Sequence, residues 1–294
     1  MDVVGRGAGA AHPGGGPFNT ARALARLGVP AAFLGRLSTD AFGRELAVRL
    51  AEDGVDLSMA SIGPEATTIA FADVDASGVA SYRFLLEGTS APNLTTAMLP
   101  KHLPTEVRAL HVGTLGLLLE PMASTIAALV DREGDGRLVM VDPNVRTALV
   151  PSGNRYRDRL EGVIARSTIV KASESDLAWL YPGIGYEEAS DAILRHHDVR
   201  LVVATLGARG AFGASSEARK LVAAPRVDVV DTIGAGDAFG AGLLAWLHDR
   251  NELDPNLRLS SGELEGALRF ACLVATITCT RAGAESPLRS EVVP

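Results

Sequence analysis

The chain has 294 residues, 47% of them hydrophobic and 21% charged, with a formal net charge of -7. These values fit one large α/β domain whose core needs neither a disulfide nor a structural metal. They exclude a general nucleic-acid or anionic-membrane binder, which would present a basic surface, and no apolar run approaches the roughly 20 residues of a membrane span.

In chain order, Gly5, Gly7 and Gly9 form a Gly-x-Gly-x-Gly string. It lacks the preceding strand, the third Gly at Rossmann spacing and the acidic partner of a dinucleotide fingerprint, so it reads as a loop. Thr20 to Leu27 reads as a helix with Asn19 as a candidate N-cap, followed by a strand over Ala31 to Leu34. Thr67 to Val74, the turn signal Asp75-Ala76-Ser77-Gly78 and Val79 to Leu86 read as a β-hairpin. That hairpin (residues 64–90, with 3–12) is a candidate β lid or dimer clasp, the alternative being an ordinary edge extension of the sheet.

Ala109 to Val112, Leu138 to Val141, Thr168 to Val170 and Leu201 to Ala204 read as short buried strands. Pro121 to Arg132 and Glu187 to His196 read as helices between them, and His196-His197 as a solvated helix end. Strands alternating with helices imply an α/β fold: a doubly wound, mostly parallel sheet flanked by helices, in one domain over residues 1–294. The ligand then belongs beyond the carboxyl ends of the strands. Arg226 to Val230 reads as a further strand, and Ala238 to Leu247 as the helix after it.

Between these two lies Asp231-Thr232-Ile233-Gly234-Ala235-Gly236-Asp237-Ala238-Phe239. Small residues at 234–236 let the backbone turn sharply and aim N–H groups outward, and a helix N-terminus adds partial positive charge, so the turn suits an anion. Asp237 beside an anion is explained if it takes a proton from a hydroxyl that then attacks a phosphoryl group. Gly for a turn and Asp for a helix start is the plainer alternative. Cys272 and Cys279 are seven apart on a helix-like segment and read as unpaired thiols, since no His or third Cys has ligand spacing. Two cysteines and no secretory segment point to a reducing cytoplasm.

Asp231 to Phe239 resembles the second signature of the ribokinase-like (PfkB) carbohydrate kinases, and Gly14-Gly15-Gly16-Pro17-Phe18-Asn19-Thr20-Ala21, ending at Gly28, resembles the first. The likeness extends through Asp142-Pro143-Asn144-Val145-Arg146, Lys171 to Asp176, Thr205-Leu206-Gly207 and Arg281-Ala282-Gly283-Ala284. It implies a ribokinase-like fold and ATP-dependent phosphorylation of a sugar hydroxyl. Asp237 matches the family's base, and Gly234, Ala235 and Gly236 its anion hole. No Gly-x-x-x-x-Gly-Lys-[Ser/Thr] string occurs, so a P-loop is not expected.

For the sugar, the resemblance implies Asp2, Gly15, Gly16 and Asn19. Arg83 could reach in from the lid, and Arg146 follows a strand end where loops meet ligand, though each also reads as a surface charge. For the nucleotide it implies Lys171, Ser173, Asp176, Thr205, Gly207, Arg209, Gly236 and Cys272. Ser173 and Asp176 stand where relatives have Asn-x-x-Glu, so Asp176 is expected to act on magnesium indirectly. Family analogy adds a monovalent cation, potassium, near Asp231 and Ser286, and a homodimer through the β lid.

Lys171 to Asp176 and Thr278 to Ala284 are similar to fructokinase-like sequences and favour fructose as the acceptor. 2-Keto-3-deoxygluconate is the runner-up, because its kinases also carry Asp-x-Asn-x-Arg; ribose and nucleosides follow. A catalytically weak sugar- or nucleotide-binding protein on the same scaffold is the alternative of another class. Relatives begin with an apolar strand ahead of the sugar-binding Asp, whereas Met1-Asp2 starts at about that Asp. The chain as given is therefore expected to be destabilised or to bind sugar poorly.

Overall fold

The computed structural model describes residues 13–74, 80–150 and 152–292, and of 71–74 and 80–83 the backbone alone. The expectations for Asp2, the Gly5 to Gly9 string, residues 3–12 and the turn at 75–78 lie outside these residues.

Helix α1 (Gly16–Arg26) starts with Pro17 in its first turn, a position that needs no N–H donor. Asn19 is therefore inside the helix and not its N-cap, which is Gly15. Strand β1 is Gly35–Ser38, later than expected. Over Ala31 to Leu34 the only pairing is an isolated bridge from Ala32 to Asp56, and continuous pairing starts where Gly35 meets Ala60 of β2 (Ala60–Gly63). Between them runs α2 (Ala41–Glu52), capped by Asp40, whose carboxylate accepts from the Gly43 N–H at 2.7 Å. Strands β3 (Ile69–Val74) and β4 (Ala80–Leu85) pair antiparallel, Ile69 opposite Leu85 and Val74 opposite Ala80.

The central sheet, among the described residues, has six strands in the order β10-β9-β8-β7-β6-β5. Strands β5 (Ala109–Gly113), β6 (Leu138–Asp142), β7 (Ile169–Ser173) and β8 (Leu201–Thr205) are parallel, and β9 (Ala211–Ser215) and β10 (Arg219–Val222) add an antiparallel edge. The inner strands are buried on both faces, which is why they read as continuous apolar runs. Alternate residues face two layers. Val139, Val141, Val170 and Val202 pack with α3 (Met122–Glu133), α4 (Arg155–Ala165), α5 (Glu174–Leu180) and α6 (Tyr186–His196). Leu138, Met140, Ile169 and Leu201 pack with α7 (Ala235–Asp249) and α8 (Ser261–Cys279).

Two further expectations change. Arg226 to Val230 forms no strand; among the described residues no strand pairs with it, and the N–H groups of Val230 and Asp231 both donate to the Cys279 carbonyl at the end of α8. Helix α7 begins at Ala235, three residues earlier than its apolar run suggests. Small side chains explain how the site is assembled: Ala23 of α1 meets Ala238, Ala241 and Ala245 of α7 in one buried cluster, so the two helices approach closely. That contact, together with the carboxyl ends of β5 to β8, fixes where function can sit.

Candidate active site

Gly234 ends the turn before α7 in the left-handed region, with φ +75°. A Cβ there would lie 2.5 Å from the Ala284 Cβ, so both conformation and packing demand glycine. No side chain caps α7, and Gly236 is exposed in its first turn. The Ala235 N–H is engaged with the Thr232 carbonyl at 3.2 Å, so the outward anion-binding character falls on the residues after it.

Asp237 follows, 8% exposed, in the first turn of α7. Its Oδ2 accepts from Asn19 Nδ2 at 2.8 Å, and its backbone carbonyl from the Thr20 hydroxyl at 3.5 Å. Asn19 Oδ1 is buried without a hydrogen-bond partner, an acceptor left for a ligand hydroxyl. The chain is bare at Gly16: a Cβ there would sit 2.7 Å from Thr114 Cγ2 and 3.3 Å from Asp237 Oδ1.

Beneath the turn, Lys171 Nζ bonds Asp142 Oδ2 at 2.6 Å, the two side chains 5% and 2% exposed. Burial alone would lower the Lys171 pKa; the Asp142 charge and hydrogen bond, then Asp237 and Asp176, outweigh it and raise the value. Lys171 was expected at the phosphates, and its ammonium lies under Gly236, paired to the protein. Ser173 and Asp176 form a capping box at the start of α5. Asp176 Oδ1 also accepts from the Val145 N–H at 2.7 Å, which pins the loop carrying Arg146. Within that loop Arg146 donates to the Asn144 carbonyl at 3.1 Å, and Asn144 has φ +40°.

On the sugar side, Gly15, Gly16, Thr67, Ser90, Thr114 and Arg146 line part of a cavity of about 130 Å³. Apolar walls with a few convergent polar groups are the ordinary make-up of a small-molecule site. Arg36, tied to Glu65 at 2.8 Å, closes one side.

The structure thus brings together Gly15, Gly16, Asn19, Arg146, Lys171, the 234–236 turn and Asp237. Others stand apart. Thr205 ends β8, and Gly207 follows in a left-handed conformation with φ +59°. Arg209 is exposed and pairs with Glu174. Cys272 is packed in the core against α7, where burial pushes its thiol up to about 11. Asp231 accepts from the Ile233 N–H at 3.1 Å and the Gly283 N–H at 3.0 Å. The buried Ser286 offers its carbonyl to Arg26 at 2.8 Å and Arg281 at 3.2 Å. Arg83 lies on β4 with its side chain outside the described residues.

Sequence reasoning missed Asp142 as the Lys171 partner and missed Thr114. Asp142 stands in the quoted Asp-Pro-Asn-Val-Arg run, at a strand end, which was a usable signal. Thr114 has φ +51°, a conformation that no sequence pattern announces for a β-branched residue.

The chain is similar to known proteins over most of its length. The model of the pfkB family carbohydrate kinases matches residues 7–291. A fructokinase of Rhizobium leguminosarum bv. trifolii is 41% identical over 247 residues, covering 83% of this chain and 74% of its own. Fructokinase-1 of Oryza sativa subsp. japonica is 35% identical over 285 residues, covering 95% and 86%. A fructokinase of Vibrio cholerae O395, solved with fructose, ADP and calcium ion bound, superposes with a TM-score of 0.85 at 27% identity, covering 100% of this chain and 96% of the other.

Proposed function

This chain belongs to the pfkB family of carbohydrate kinases, and we propose that it is an ATP-dependent kinase whose acceptor is fructose. The observation that carries the reading is a buried Asp237 at the start of an uncapped helix, beside the Gly16 and Thr114 wall of a small cavity with a few polar groups. Asp237 takes the proton of the sugar hydroxyl as that oxygen attacks the terminal phosphorus of ATP. The bond from that phosphorus to the bridging oxygen breaks and ADP leaves. Charge on the transferred phosphoryl faces the Gly236 end of the turn. Asn19 holds Asp237 in place and offers Oδ1 to the sugar, while Arg146 faces the same cavity.

Magnesium enters with the nucleotide and offsets phosphate charge. Among the described residues no group of three or more His, Cys, Asp or Glu side chains could hold a metal. Asp176 commits its oxygens to Val145 and Ser173, so it would act on the ion indirectly. At the potassium position expected near Ser286, its carbonyl accepts from Arg26 and Arg281, while its buried hydroxyl oxygen has no protein partner. A homodimer through the hairpin would cover the exposed Leu85 of β4. No described helix is long and apolar enough to cross a membrane, and two unpaired cysteines suit a reducing cytoplasm.

A coupled ADP-release assay with fructose, ribose, 2-keto-3-deoxygluconate and adenosine tests the reading. Fructose should give the highest kcat/KM; a different preferred acceptor overturns the fructose assignment, and no turnover with any of the four overturns the kinase assignment.

A further inference from the structure

Lys171 is the one side chain of the site that a phosphate-contact role leaves unexplained. It is buried, it is already paired at 2.6 Å with Asp142, and that pair joins two adjacent parallel strands, Asp142 at the end of β6 and Lys171 in the middle of β7. Its Nζ would lie 3.1 Å from a Cβ on Gly236, so the ammonium is seated directly under the anion-binding turn. Asp142 Oδ1 is buried and has no partner, so the carboxylate is held by Lys171 and not by a wider network.

We propose that Lys171, fixed by Asp142, is a positioning residue: a buried cation beneath the 234–236 turn that keeps Asp237 ionised for proton abstraction and adds positive potential where the phosphoryl group is transferred. The proposal rests on the kinase reading above. Its physical basis is that an opposite charge nearby favours an ionised carboxylate, and that a charge fixed in a water-poor site acts at full strength without having to reorganise. Pairing with Asp142 is what makes the cation tolerable there, since a buried ammonium alone would shed its proton.

Several described groups act on Asp237 or on its neighbours. Asn19 from α1 donates to it. Lys171 from β7 supplies the positive charge, with Asp142 from β6 and Asp176 from α5 as the further carboxylates that act on that ammonium. His111 from β5 stands near Gly240, one turn along α7. Burial, and then the Lys171 charge, hold His111 down at about 4, so it is neutral where the enzyme works, whereas Lys171 carries its charge there.

The test compares wild type with Lys171→Arg and with the double variant Lys171→Met/Asp142→Asn, which removes both buried charges and so avoids stranding one. Steady-state kinetics for fructose and ATP are measured from pH 5 to 9, with melting temperatures recorded alongside. The double variant should fold, keep KM for both substrates within about threefold, lose about 10²-fold in kcat, and move the acid limb of its pH–kcat profile up by about one pH unit. Lys171→Arg should recover the position of that limb. A double variant with an unmoved limb and near-normal kcat overturns the proposal while leaving the kinase reading intact. A raised KM for ATP with kcat preserved also overturns it, by making Lys171 a nucleotide contact. A wild type inert toward every sugar overturns the kinase reading and this proposal together.

Discussion

Asn19 Nδ2 donates to Asp237 Oδ2 at 2.8 Å, joining the second turn of α1 to the first turn of α7 across 218 residues of sequence. The two signature segments therefore meet directly, side chain to side chain, through this hydrogen bond. Removing it should free the Asp237 carboxylate to rotate. Asn19→Ala is expected to lower kcat by about tenfold as well as raising KM for the sugar, since a hydrogen bond to a charged group contributes about 1.5–3 kcal/mol. Asn19→Asp should be worse, because two carboxylates would then face each other. If only KM for the sugar changes, Asn19 binds substrate and does not orient the base.

Gly234→Ala should cripple phosphoryl transfer and reduce stability together. The position has φ +75° and a Cβ would meet the Ala284 Cβ at 2.5 Å. A non-glycine residue held at such a backbone conformation costs on the order of 1–3 kcal/mol before the clash is counted. A melting temperature equal to wild type would show that the turn relaxes more easily than this packing implies.

Asp40 links α2 to the start of the hairpin: its carboxylate accepts from the Gly43 N–H at 2.7 Å and from the Thr67 N–H and hydroxyl at 2.7 and 2.6 Å. Burial would raise its pKa, but these bonds outweigh it and hold the group at about 2, below the ordinary 3.8. The stability it supplies is thus present above about pH 4 and is lost as pH falls toward 2. Asp40→Asn should destabilise the protein by about 1 kcal/mol at neutral pH and by less at pH 2.5. Urea unfolding at the two values checks this; an equal loss at both would mean the charge is irrelevant.

Arg146 decides between a neutral sugar and a sugar acid. It lines the cavity on a loop pinned by Asp176, and a guanidinium can clamp a carboxylate with two parallel hydrogen bonds. Wild type should prefer fructose to 2-keto-3-deoxygluconate in kcat/KM, and Arg146→Ala should reduce both only modestly. An acid-preferring wild type whose acid rate alone collapses in the variant would reverse the assignment.

Much of this was readable before the structure, for a physical reason. Parallel strands buried on both faces must be apolar throughout, so Leu138 to Val141 and Leu201 to Ala204 marked β6 and β8 directly. The turn at 234–236 was legible because only small residues can hold it. Other features depend on partners distant in sequence. Arg226 to Val230 reads as a strand, but among the described residues no strand pairs with it, and the Val230 N–H bonds the end of α8. The resemblance places Lys171 at the nucleotide, and nothing local reveals that it is also paired with Asp142. Cys272 fell at a position taken for adenine contact, and the fold turns it into the core.

The central claim is that Asp237 is the general base. Asp237→Asn keeps the volume and can still meet a hydroxyl, but it cannot take the proton. Single-turnover phosphorylation of fructose, measured alongside fructose binding by calorimetry, separates the two roles. The rate should fall by about 10²- to 10⁴-fold with the sugar dissociation constant changed by less than about threefold; near-normal turnover in this variant would contradict the assignment.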